Sequence, residues 1–203
     1  MRRGYDPVKR LIDLAVALPV LLVSLPVQAV VAAAVRTTMG RPVLFRQQRP
    51  GRYGEPFELV KFRTMRAATD AASLHSTSRV TRLGAALRAT SLDELPSLWN
   101  VVRGDMSLVG PRPLLMEYLD RYTPEQARRH EVRPGVTGLA QISGRNAVTW
   151  DERLALDVQY VERRSLRLDL SILVGTVSTV LRRSGVDAGS GMTMSEFRGQ
   201  ERP

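Results

Sequence analysis

Two adjacent carboxylates, Asp93 and Glu94, open a short apolar run, and arginines flank them: Arg88 before, Arg103 and Arg112 after. Arg112 stands between Pro111 and Pro113 on a stiff turn. Acids beside arginines point to phosphate chemistry. A guanidinium is a planar fork that grips phosphate oxygens, while a carboxylate can hold a hard divalent cation or attack phosphorus. A structural role competes. Ser91-x-x-Glu94 fits a helix capping box, with Asp93 in a first turn that favours negative charge. That alternative leaves the following Gly104–Pro113 segment unexplained.

Other candidates lie further off. Lys61 and Arg63 end a second predicted strand, where a solvated strand face is the plainer explanation. Arg145 sits in a Gly-bearing loop, 141–146, whose small residues let backbone amides approach an anion. Asp157 lies on the edge of an apolar helix face and reads first as a structural salt bridge, second as part of the site. His75 and His130 lack metal-ligand spacing and read as surface residues.

These side chains need elements to position them. Residues 1–10 are basic, and 11–35 are apolar apart from Asp13, Ser24 and Gln28. That run exceeds the roughly 20 residues that cross a bilayer. It is too long for the apolar part of a signal peptide, and no convincing cleavage site follows. Pro26 falls in its middle, where a proline breaks or kinks a helix at roughly 3 kcal/mol. Arginines flank both ends, and positive flanks mark the cytoplasmic side. The segment is therefore expected to enter the membrane, turn at Pro26 and return, with the Ser24 hydroxyl serving backbone groups freed at the break. A single crossing helix kinked at Pro26 is the rival.

Beyond it, Val43–Phe45 reads as a short strand and Phe57–Met65 as a second, with turn signals at Pro50-Gly51 and Tyr53-Gly54. Residues 66–78 read as a loop. Helices are expected over 79–90, 114–122, 124–130, 150–164 and 169–181. The last is amphipathic and suits either the core or the membrane interface. The tail from Gly185 reads as mobile, with Met192–Phe197 able to dock. The fold class expected is α+β, mainly helical: a re-entrant N-terminal helix hairpin over 1–36, a catalytic unit over 37–184 holding a small β-element and interfacial helices, and a tail over 185–203.

The 203 residues suit one domain, and the net charge of +10, mostly arginine, favours phosphate or membrane headgroups. Nucleic acid is disfavoured as a partner: aromatic content is 5%, too little for a stacking surface, and no zinc-finger or basic-zipper pattern occurs. The absence of cysteine excludes thiolate chemistry and disulfides. A non-catalytic, basic membrane-surface protein would account for the charge and the apolar hairpin, but not for an acidic pair among arginines.

The motifs Lys61–Met65, Leu92–Pro96, Gly104–Pro113 and Arg133–Gly138 together resemble the bacterial sugar transferase family, the monotopic phosphoglycosyl transferases, over about Lys9 to Leu181. The likeness is to the short form, without added membrane spans. It implies a UDP-sugar donor, a polyprenol (undecaprenyl) phosphate acceptor and release of UMP. It also implies magnesium and a place on the cytoplasmic face of a bacterial inner membrane, and leaves room for a homodimer. Asp93 matches the family nucleophile and Glu94 its partner, both as metal ligands too. Lys61, Arg88, Arg112 and Arg145 match basic positions around the phosphates, with Arg63 in the same motif as Lys61. Asp157 and Asp169 match acidic positions of the C-terminal helices. One departure stands out. The family often has Ser-Pro at the membrane break, whereas here Leu25 precedes Pro26 and Ser24 comes one place early.

Overall fold

The computed structural model describes residues 5–66, 79–144, 148–181 and 196–199. The N-terminal apolar run forms two helices, α1 (Tyr5–Val23) and α2 (Leu25–Met39), whose axes bend by 58° at Ser24. Pro26 is the second residue of α2, where its missing N–H costs no helical bond. The Ser24 hydroxyl donates to the Leu21 carbonyl at 3.0 Å and accepts from the Gln28 amide at 2.9 Å, so it serves the break from one residue early. A bend of this size is compatible with the re-entrant segment expected and with the kinked crossing helix that is its rival. Among the described residues no single helix is long and apolar enough to cross a membrane, although the bent pair together meets that length and composition. Leu22, Val23, Leu25, Val27 and Val30 around the bend are exposed.

Asp13 interrupts the apolar run because α1 docks through it. Its carboxylate is buried and accepts the Leu108 amide at 3.1 Å. β1 (Leu44–Pro50) and β2 (Pro56–Phe62) form an antiparallel hairpin in register from Leu44↔Phe62 to Pro50↔Pro56. Its turn is tightened by left-handed backbone at Tyr53 and Gly54. α3 (Arg82–Ala89) starts at a Thr81 cap, and α4 (Ser97–Arg103) packs along α1. β3 (Ser107–Val109) pairs in parallel with β4 (Gly135–Thr137), an element absent from the expected set. The approach is close: a methyl on Gly135 would stand 2.1 Å from the Gly110 nitrogen.

Between those strands lie a 3-10 turn over Met116–Arg121, where an α-helix was expected, and α5 (Pro124–Ala127). α6 (Leu139–Ile142), α7 (Trp150–Arg163) and α8 (Leu166–Leu181) complete the described helices. The result is mainly helical α+β, with two two-stranded sheets among the described residues. The main core joins Ala17 of α1, Leu98 and Val101 of α4, Val109, Tyr160 and Ile172. His130 is buried rather than on the surface. Its ring lies against Tyr122 and its Nδ1 is 3.3 Å from the Gly51 carbonyl. Phe197 of the tail docks among Tyr118, Tyr122 and Trp150. The expected loop over 66–78 falls outside the described residues beyond Arg66 and Met192–Ser195 falls outside them entirely.

Candidate active site

Asp93 and Glu94 lie on a single 3-10 turn, Leu92–Glu94, at the junction between α3 and α4. The capping-box alternative does not survive. Ser91 is left-handed (φ 56°) and its side chain caps nothing. Glu94 reaches instead toward two cations, accepting from Lys61 Nζ at 2.6 Å and from Arg112 Nη2 at 2.8 Å. Lys61 comes from β2, and Arg112 from the proline-flanked turn after β3. Arg88, on α3, donates to the Thr64 hydroxyl at 3.0 Å and adds its positive field at Asp93. Thus two strands and two helix ends converge on one acidic pair.

The two acids are treated differently. Burial pushes the Asp93 carboxyl up, Glu94 beside it adds to that, and the nearby cations offset only part, leaving it at about 6. Burial would raise Glu94 too, but Arg112 and Lys61 outweigh it and hold that carboxyl at about 2. Among the described residues Asp93 makes no hydrogen bond or ion pair at contact distance. It is therefore a poorly solvated, unengaged carboxyl, the state that suits an oxygen nucleophile, beside a neighbour locked in its charged form.

Arg112 is itself held from behind. The buried Arg129 donates to the Arg112 carbonyl at 2.7 Å and to Asp157 Oδ2 at 3.0 and 2.7 Å. Asp157 therefore braces the main chain that carries Arg112, and it is not itself brought to the acidic pair. Neither is Asp169, which accepts from the Tyr5 and Tyr160 hydroxyls at 2.8 Å each and from Lys9, tying α1 to α7 and α8. Arg63 points back to α2, donating to the carbonyls of Met39, Gly40 (3.3 Å) and Arg41 (3.1 Å). Arg103 stays exposed, 3.6 Å from Asp105. Arg145 lies outside the described residues. Sequence reasoning missed Arg49, Arg129 and Arg153, all of which lie near Arg112. No signal along the chain separates them from solvated arginines.

Among the described residues no three His, Cys, Asp or Glu side chains gather as a metal cage. Two carboxylates with one already ion-paired suit an ion that takes one or two protein oxygens and completes its shell from substrate phosphates and water, as magnesium does.

With this geometry in view, likeness to known proteins becomes informative. The model of the bacterial sugar transferase family matches residues 4–183. The chain is 49% identical over 193 residues to the uncharacterized sugar transferase EpsL of Bacillus subtilis, covering 94% of this chain and 96% of that protein. It is 42% identical over 192 residues to the UDP-glucose:undecaprenyl-phosphate glucose-1-phosphate transferase of Caulobacter vibrioides, covering 89% and 72% of the two chains. It is also 38% identical over 203 residues to the undecaprenyl-phosphate galactose phosphotransferase of Salmonella typhimurium, spanning 91% of this chain but 42% of that longer one. By a family match over nearly its whole length and by a relative aligned almost end to end, the chain belongs to the bacterial sugar transferase family.

Proposed function

We propose that the chain moves a sugar phosphate from a UDP-sugar to polyprenol phosphate, in two displacements through Asp93. The observation that carries this reading is the split acidic pair: Asp93 raised and unengaged, Glu94 clamped by Lys61 and Arg112. In the first displacement an Asp93 oxygen attacks the phosphorus that bears the sugar. The bond from that phosphorus to the bridging oxygen breaks, and UMP leaves with that oxygen. In the second, a phosphate oxygen of the lipid attacks the same phosphorus, and the bond to Asp93 breaks. The product is a polyprenyl diphosphate sugar, and Asp93 returns as carboxylate. Splitting the transfer lets a water-soluble donor and a membrane acceptor use one small pocket in turn.

Phosphoryl transfer asks a protein mainly for positioning and charge neutralisation. Lys61 and Arg112 fix Glu94, and Arg112 and Arg88 face the transferred phosphate. Magnesium, held through Asp93 or Glu94 and the substrate phosphates, supplies neutralising charge when bound. The relatives named for UDP-glucose and undecaprenyl phosphate support the donor and acceptor classes. The exposed apolar bend between α1 and α2 supports a monotopic seat in the cytoplasmic face of a bacterial inner membrane.

The test is a panel of UDP-sugars with undecaprenyl phosphate and magnesium, reading the nucleotide set free. Lipid-dependent UMP from at least one sugar, abolished by chelator, is expected. Release of UDP instead would mean that the sugar is transferred without its phosphate.

A further inference from the structure

Arg49 is the penultimate residue of β1, paired across the hairpin with Phe57. It is half-buried. Its Nη2 donates to Gln47 Oε1 at 2.6 Å, while its Nε is enclosed with no partner. Among the described residues no carboxylate lies within ion-pair distance of it; Glu117 acts on it only weakly through space. Its strong electrostatic neighbour is another cation, Arg112. Burial, then Arg112, push the Arg49 guanidinium down to about 10, so it still carries its proton at neutral pH.

Four of the other cations nearby face acids. Lys61 and Arg112 share Glu94, Arg129 has Asp157, and the field of Arg88 falls on Asp93. A desolvated guanidinium facing a like charge is costly, and it cannot shed its proton to relieve the cost. An arriving anion relieves both charges. The Arg112 side chain is 39% exposed, so such an anion can reach the pair from solvent.

We infer that Arg49 and Arg112 form a phosphate subsite, with Arg49 a substrate-binding residue of the reaction proposed above. The oxyanion belongs either to the donor diphosphate or to the lipid phosphate. Both present tetrahedral oxygens that suit a guanidinium fork.

The experiment uses the full chain in lipid nanodiscs, with Arg49→Gln and Arg49→Lys. Melting is followed with and without inorganic pyrophosphate, and KM is measured separately for donor and for lipid. Wild type should be stabilised by pyrophosphate. Arg49→Gln should lose that stabilisation and raise one KM by about tenfold or more. Arg49→Lys should fall between, because it keeps the charge without the fork. A rise confined to donor KM puts the donor diphosphate in the subsite, and a rise confined to lipid KM puts the acceptor phosphate there. A folded variant with pyrophosphate stabilisation and both constants unchanged overturns the inference, as does a variant whose sole defect is a lower melting temperature. Pyrophosphate binding needs no turnover. If wild type binds it through Arg49 yet releases no nucleotide, the reaction is wrong and the subsite stands.

Discussion

Asp93 and Glu94 are chemically similar neighbours with opposite fates, and the difference is set by who touches them. Glu94 meets Lys61 and Arg112 at contact distance, whereas Asp93 meets burial and a neighbouring negative charge. Asp93 has a folded value of about 6 against an ordinary 3.8, so the folded chain holds a proton there that the unfolded chain lacks between those pH values. This one group therefore adds stability as pH falls from about 6, and its ionisation costs stability above that. Glu94 works the other way. Its contribution is present above its ordinary 4.5 and is lost as pH falls through about 2. The attack proposed for Asp93 needs its carboxylate, so kcat/KM for the donor should drop about tenfold per pH unit below about 6. A profile flat down to pH 4 would contradict the assignment. The acidic pair was legible in the sequence because adjacent acids among arginines are unusual. Its division of labour was not, because Lys61 and Arg112 arrive from residues 33 and 18 positions away.

At the scale of elements, the turn that carries the acidic pair is held by pieces too short to read. Helical periodicity places α7 to within a residue of its end, since Leu154, Val158 and Val161 repeat on one buried face. Three-residue strands carry no period, and the parallel pairing of β3 with β4 depends on Gly110 and Gly135 meeting across 25 residues. The same holds for Arg129, which looked like one more basic helix residue. Its buried pair with Asp157 braces Arg112, and this makes a specific expectation. Arg129→Met or Asp157→Leu alone leaves a buried charge unpaired and should cost about 3–5 kcal/mol in unfolding. The double variant should recover much of that loss. It should not recover activity, because the Arg112 carbonyl has still lost its anchor. Denaturant melts and turnover on the three variants decide this; strictly additive stability losses, or a fully active double variant, would rule the brace out.

For the whole molecule, the features that matter are where apolar and basic surface lie. The bend between α1 and α2 exposes valines and leucines, and α8 exposes Leu166, Leu170, Val174 and Val177. Trp99, just past the acidic pair, is also exposed. The break itself was readable from Pro26, while the 58° size of the bend was not, since that angle comes from docking α1 on α4 and α2 on α3. With no native cysteine, Arg3→Cys and Thr38→Cys can be labelled singly in intact cells without background. A segment that enters and returns leaves both sites closed to an impermeant reagent added outside. Labelling of one site but not the other would show a true crossing and would move the acidic pair relative to the lipid surface.

The central claim is that Asp93 carries the transferred phosphate. Mixing the enzyme with its UDP-sugar in the absence of lipid should release a burst of UMP close to one per active site, with no further turnover until polyprenol phosphate is added. Asp93→Asn should give no burst while melting no lower than wild type, because it removes a buried charge repelled by Glu94. A folded Asp93→Asn enzyme that still releases UMP would end the account.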